Sequence, residues 1–229
     1  MERSTKLMPN LTDSKTEIVA SLIKQFHPPR INKLIVVGCG SGLEAAILAQ
    51  QLEAEVSGID LKNEFDAEAA KIATLQTGDA AALAFADETF DFIFSYHALE
   101  HIGDPKKALQ EMRRVLKPDG GFWIGTPNRS RMVGYIGGKK TSFTEKIQWN
   151  ILDWKQRIKG EFRNELGAHA GFTSAELRKL LSSVFSKVDE RTTEYFLSIY
   201  ENKKAIIKGI EASRLSRFIY PSVYFSGVK

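Results

Sequence analysis

Residues 33–42 read KLIVVGCGSG: a short apolar, β-branched run that breaks into three alternate glycines, Gly38, Gly40 and Gly42, directly before the helical pattern LEAAILAQQL of residues 43–52. A run of this kind stopping at glycine marks a buried parallel strand, and the Ala- and Leu-rich stretch behind it has helix-forming composition. Glycine is needed at such a strand-to-helix turn for two reasons. The turn uses positive φ angles, and a Cβ would hold a ligand away from the backbone amides at the helix start. A dinucleotide fingerprint, G-x-G-x-x-G, wants its third glycine one residue after Gly42, where Leu43 stands. The spacing therefore favours a nucleoside without a pyrophosphate.

Outward from this turn, strand and helix patterns alternate. Glu55 to Ile59 reads as a second strand ending at Asp60, Lys62 to Thr74 as a weaker helix, Leu75 to Thr77 as a short third strand and Phe90 to Ser95 as a fourth. Asp104-Pro105 is an N-cap followed by proline at N1, and Pro118 to Gly121 is a stop, which places a helix at 105–116. Gly121 to Gly125 is a fifth strand. Five strands alternating with helices imply right-handed crossovers and a doubly wound, Rossmann-like α/β sheet, in which ligands bind beyond the carboxyl ends of the strands. Before this core (33–128), Ile18, Val19, Leu22, Ile23 and Phe26 are spaced as on an N-terminal helix within residues 12–27, ended by Pro28-Pro29.

Past Pro127 the alternation lapses, which makes residues 129–172 an insertion. Within it Ser142 and Glu145 form a capping box, and Phe143, Ile147, Ile151, Trp154 and Ile158 follow on one face of a basic helix. Thr173 and Glu176 form a second capping box, ahead of a helix running to about Ser183. Lys187 to Tyr195 reads as a sixth strand, Lys203 to Leu215 as a helix and Pro221 to Val228 as a seventh strand. The whole of residues 1–229 is expected to be a single domain, with residues 196–220 as a second substrate-side segment.

Composition agrees with one globular domain: 229 residues, 43% hydrophobic and 26% charged. A single cysteine, Cys39, rules out an internal disulfide or a zinc ribbon. With no apolar run of 18 residues and no hydrophobic stretch in Met1 to Lys15, a cytoplasmic location is expected. The formal charge of +4 is unevenly spread. Residues 129–160 carry eight basic against two acidic side chains and residues 203–229 six against one, so the remainder is net negative, −7. Two basic appendages on an acidic body point to an anionic partner, the alternative being a solvated, salt-bridged surface.

Asp60 closes the second strand 18 residues after Gly42, where a carboxylate can accept both ribose hydroxyl protons; its alternative role is a helix N-cap. Asp79, in TGDAAAL, ends the third strand at the same edge, able to accept from an adenine amine with Ala80 nearby, or else to close an Asx-turn. VVGCGSG, the GID ending at Asp60, GDAAALAFADETFDFIFSYHALEHI (78–102) and RRVLKPDGGFWIGTPN (113–128) together resemble the class I S-adenosylmethionine-dependent methyltransferases, in the right order over about 95 residues. The resemblance implies a seven-stranded sheet with its last strand antiparallel. It implies S-adenosyl-L-methionine as cofactor and S-adenosyl-L-homocysteine as product. Gly38, Cys39, Gly40 and Gly42 are then expected beside the methionine moiety, Asp60 and Leu61 at the ribose, Asp79 and Ala80 at the adenine, and Ser95 and Tyr96 facing the sulfonium and the acceptor. One position departs from the family, which carries an acidic residue where Val36 stands.

The segment HALEH, 97–101, also has the H-x-x-E-H spacing of a zinc protease helix, but it falls within the better-explained motif. Ubiquinone-type O-methyltransferases and small-RNA 2′-O-methyltransferases resemble it with Glu-x-x-Glu-His. No divalent metal is expected; were one bound, its candidate ligands are His97, Glu100, His101 and His169. His97 and His101 are the candidate catalytic bases, needed when the acceptor is an unactivated hydroxyl. No segment like the N/D-P-P-Y of amino-methylating DNA enzymes follows the fourth strand, which favours O- or C-methylation. The insertion and residues 196–220 interleave Trp149, Trp154, Tyr195, Phe196, Tyr200, Phe218 and Tyr220 with basic residues, and are expected to form the acceptor site. Such a face suits a small-molecule, glycan or lipid-linked acceptor, with peripheral membrane contact, and less so RNA; packing on the domain is the alternative. Three other readings stand beside methyl transfer: a non-catalytic adenosine-cofactor binder, an NAD(P)-dependent oxidoreductase and an RNA 2′-O-methyltransferase.

Overall fold

The computed structural model describes residues 11–27, 29–134 and 142–229. The start of the chain, Pro28, and residues 135–141 with Lys139 and Lys140 of the basic segment lie outside the described residues. Seven strands form one sheet: β1 (Lys33–Val37), β2 (Glu55–Asp60), β3 (Thr74–Thr77), β4 (Phe90–Tyr96), β5 (Leu116–Pro127), β6 (Lys187–Glu190) and β7 (Ser222–Val228), in the order β3-β2-β1-β4-β5-β7-β6. The pairs among β1 to β5 are parallel, whereas β7 runs antiparallel between β5 and β6. The order reverses between β1 and β4, the crevice where a doubly wound sheet binds its ligand.

Eight helices complete the described fold: α1 (Ser14–Phe26), α2 (Leu43–Leu52), α3 (Pro105–Val115), α4 (Phe143–Lys159), α5 (Ser174–Ser182), α6 (Thr192–Ile199), α7 (Lys204–Ala212) and α8 (Ser216–Ile219). The sheet is buried on both faces because its central strands are apolar throughout. In β1, Leu34 and Val36 enter a cluster with Leu22, Ile23, Leu48, Phe92 and Phe94, while Ile35 and Val37 enter the opposite one with Ile93, Leu109, Met112 and Phe225. Each large side chain buried in this way contributes about 1.5–3 kcal/mol of transfer free energy.

The predicted starts hold where a cap enforces them. Asp13 caps α1 through Thr16 N, Asp104 caps α3 through Lys107 N with Pro105 in the first turn, and both capping boxes, Ser142/Glu145 and Thr173/Glu176, are formed. Three expectations are corrected. The helix over Lys62 to Thr74 is absent apart from a 3₁₀ turn at Ala69–Lys71, because Asp66 is pulled to the glycine turn by its N–H to Ser41 O and closes a local turn with Oδ1 on the amides of Glu68 and Ala69. The sixth strand ends at Glu190 rather than Tyr195. There Thr192 Oγ1 takes over the amide of Tyr224, and the chain turns into α6 to bury Tyr195 and Phe196. The fifth strand is longer than Gly121 to Gly125, beginning at Leu116, with a register shift opposite β4 between Phe90 and Phe92.

Candidate active site

The turn after β1 is pinned to the end of β2. The N–H groups of Gly38 and Cys39 both donate to Ile59 O at 2.9 Å, and Gly42 N to Cys39 O at 2.8 Å. Gly38, Gly40 and Gly42 have φ of +77°, +52° and +84°, conformations in which a Cβ is strained. They differ in what they face. A Cβ on Gly38 would meet Ala98 Cβ at 2.2 Å and one on Gly42 would meet Leu75 Cδ1 at 2.2 Å, so these two let neighbouring segments close onto the turn. Gly40 alone of the three fronts open space, with nothing within 4 Å of where a Cβ would stand.

Asp60, at the carboxyl end of β2, accepts from Gly40 N through Oδ2 (2.8 Å) and from Lys62 N through Oδ1 (3.1 Å). No helix follows it, so the N-cap role lapses. Each carboxylate oxygen keeps a second lone pair for a further donor. Leu61 beside it is exposed, and Ala80 is buried. Asp79 does close the Asx-turn, its Oδ1 accepting from Ala81 N at 2.8 Å. Cys39 is buried, and burial together with the Asp60 carboxylate pushes its thiol up to about 12, which keeps it protonated and unreactive. Val36 is fully buried in the core.

At the end of β4, Ser95 is fully buried and its Oγ donates to Val37 O, so this side chain ties β4 to β1 instead of facing an acceptor. Tyr96 reaches a cluster the sequence did not disclose: its hydroxyl lies 2.9 Å from that of Tyr195 and 3.1 Å from that of Tyr224. Burial raises the pKa of all three phenols, reinforced by the neighbouring hydroxyls at Tyr224 and opposed by their hydrogen bonds at Tyr195, so they are neutral hydrogen-bonding groups. Three residues from three distant segments meet there, and only the fold brings them together. Tyr195, Phe196 and Tyr220 thus belong to the core and not to an exposed acceptor wall.

His97, directly after β4, has φ +53°, in the left-handed region that is costly for a residue with a Cβ. The conformation is held by its own N–H on Gly125 O (2.8 Å). Its Nδ1 stands 3.7 Å from Glu100 Oε1 and its Nε2 3.5 Å from Ser222 Oγ. His101 Nε2 is 3.9 Å from the same Glu100 oxygen, and its ring packs edge-on against His169 with centroids 4.7 Å apart. Glu100 is buried, and neither of its carboxylate oxygens has a hydrogen-bond partner among the described residues. A buried carboxylate without donors is expensive, and here its neighbours are two imidazoles. The four residues named as metal ligands do come close in pairs. Among the described residues, however, no three His, Cys, Asp or Glu are gathered so as to hold a metal ion.

Residues 35–124 match the methyltransferase domain family. The chain is 28% identical over 142 residues to a ubiquinone biosynthesis O-methyltransferase of Vibrio cholerae, covering 52% of this chain and 57% of that protein, so it spans little more than half of that relative's length. It is 28% identical over 178 residues to the protein of the same name from Pseudomonas entomophila, covering 72% of each. Among solved structures, phosphoethanolamine N-methyltransferase 2 of Haemonchus contortus, in complex with S-adenosyl-L-methionine, superposes with a TM-score of 0.56 at 18% identity, over 91% of this chain and 51% of that one; at this identity the likeness speaks for the fold. The strand order and the antiparallel β7 are those of the class I S-adenosylmethionine-dependent methyltransferase fold, and residues 35–124 carry the match to the methyltransferase domain. The residues present fit that cofactor: an open backbone cradle at Gly40 with the Asp60 carboxylate anchored beside it and Asp79 at the next strand end.

Proposed function

We propose that the protein transfers a methyl group to a hydroxyl of a small-molecule acceptor, with His97 as general base and Glu100 as the group that positions and charges it. The observation that carries this reading is the buried, donor-free carboxylate of Glu100 between His97 and His101. Bound S-adenosylmethionine supplies an electrophilic methyl on a sulfonium. What remains for the protein is position, exclusion of water and removal of one proton. His97 offers Nε2 toward Ser222 and Nδ1 toward Glu100, so a proton taken at Nε2 leaves an imidazolium facing a carboxylate that accepts no hydrogen bond among the described residues. A neutral amine acceptor, whose lone pair attacks directly, needs no such arrangement. The names of the two bacterial relatives support oxygen as the acceptor atom. The basic segments favour an anionic acceptor, such as a glycan acid or a lipid-linked molecule.

The test is methyl transfer from labelled S-adenosylmethionine to catechol and glucuronic acid as hydroxyl probes, with aniline as the amine control. The labelled methyl is expected on a hydroxyl oxygen, as a methyl ether, with the rate falling about a hundredfold in His97→Ala and Glu100→Gln. Transfer to aniline alone, or variants as fast as the parent, would refute it. A second reading, binding of the adenosine cofactor without turnover, is favoured by the burial of Val36 where the family carries an acid. It is distinguished by S-adenosylhomocysteine binding with no transfer to any of the three probes.

A further inference from the structure

Helix α4 is amphipathic in the inverted sense. Its polar residues point to the protein: Asn150 Oδ1 accepts from Gly134 N (2.7 Å), Asp153 pairs with the buried Arg131 (3.3 Å), and Arg157 donates to the carbonyls of Arg129 and Arg131 (2.7 and 2.8 Å). These three lie at i, i+3 and i+7, one face of a helix. Asp153 is the buried side chain of α4, whereas the apolar stripe faces outward: Phe143 is 78% exposed, Ile158 86%, and Ile147, Ile151 and Trp154 at least 44%. The alternative, that this stripe packs on the domain, does not hold. A surface helix normally buries such a stripe, so its exposure calls for an occupant.

We infer that the stripe of α4 docks on an anionic lipid bilayer. Lys155 and Lys159 are exposed beside it, while the acidic residues of the helix are committed, Asp153 to Arg131 and Glu145 to the Ser142 cap. Two copies of the chain packed through α4 would bring these lysines toward one another, whereas an anionic surface turns the same charges into attraction. The patch extends past the helix. Exposed Met132 and Val133 adjoin it, Trp154 Nε1 donates to Met132 O, and Met132 N in turn donates to Phe218 O, where the second basic segment begins its return to the sheet. Apolar side chains with cations alongside are what an interfacial helix needs to lie in the headgroup layer. The position adds a consequence. Arg131, which holds α4, also donates to the carbonyl of His169, whose ring touches His101, so the docked face adjoins the catalytic edge. The inference stands on the exposure of α4 and does not require the catalytic reading.

The experiment is co-sedimentation of the full chain with vesicles of equimolar phosphatidylglycerol and phosphatidylcholine at low salt, against pure phosphatidylcholine vesicles, with Trp fluorescence recorded alongside. The variants are Ile147→Glu/Ile158→Glu and, separately, Lys155→Glu/Lys159→Glu; all four side chains are solvent-facing, and retained thermal melting shows that the fold persists. Retention on the anionic vesicles with a blue shift in emission is expected, lowered about tenfold or more by either double variant, since each surface cation is worth about a fivefold change in partitioning. Absence of retention at low salt, or equal retention of folded variants, overturns the inference. So does a dimer in light scattering that the isoleucine variant dissolves without any vesicle binding, which would assign the stripe to a second copy.

Discussion

The carboxylate of Asp60 accepts the backbone N–H of Gly40 at 2.8 Å, joining the end of β2 to the middle of the glycine turn across 20 residues of sequence. One side chain thus holds the turn that fronts open space and presents lone pairs into the same space. Asp60→Ala should lower S-adenosylhomocysteine affinity by at least tenfold in calorimetric titration, through loss of both. Asp60→Asn keeps an acceptor for Gly40 N and should lose less.

His97 in its left-handed backbone is held by the Gly125 carbonyl in a conformation costing about 1–3 kcal/mol. Strain of that kind at a strand end beside the ligand crevice marks a functional residue. His97→Gly should therefore melt at the same or a higher temperature than the parent while methyl transfer falls about a hundredfold. A variant that lost stability and activity together would mean that the imidazole is structural.

Arg131 and Asp153 form a buried ion pair beneath α4, and Arg131 also donates to the carbonyls of Asn128 and His169. Removing Arg131 takes from the buried Asp153 carboxylate its ion-pair partner at 3.3 Å. Arg131→Ala should cost about 3–5 kcal/mol of stability in chemical denaturation. Amide exchange should rise first in residues 143–159, because Asn150, Asp153 and Arg157 are their anchor.

Glu44, in the first turn of α2, has its carboxyl pushed up to about 7 by burial and, secondarily, by the Asp13 carboxylate. A carboxyl raised in the folded state holds a proton that the unfolded chain has already lost. Its stabilising effect is complete below about pH 4.5 and fades as pH rises toward and through about 7. The melting temperature should accordingly fall between pH 5 and 8. Glu44→Gln should flatten that fall and be the more stable protein at pH 8, by on the order of 1 kcal/mol once the remaining solvent contact is discounted.

Local chemistry made much of this fold legible. The glycine turn, Asp104-Pro105 and the two capping boxes are short-range signals, and the elements they start lie where the residues place them. The errors fall where distant partners decide. Lys62 to Thr74 has helical composition, yet Asp66 is drawn to Ser41, and Thr192 ends β6 by capturing an amide of β7. The periodicity of α4 was plain, but which face it buries depends on Arg131 and Gly134, and an apolar stripe alone does not reveal it. In the site, Asp60 and the histidines could be found by spacing. The tyrosine cluster and the donor-free burial of Glu100 required the third dimension.

The most direct test of the central claim is calorimetric titration of the nucleotide-free protein with S-adenosylhomocysteine, set beside Asp60→Ala and an NADH control. Micromolar binding to the parent, at least tenfold weaker in the variant and absent for NADH, is the expected result. No S-adenosylhomocysteine binding, or binding indifferent to Asp60, would contradict the assignment of this crevice.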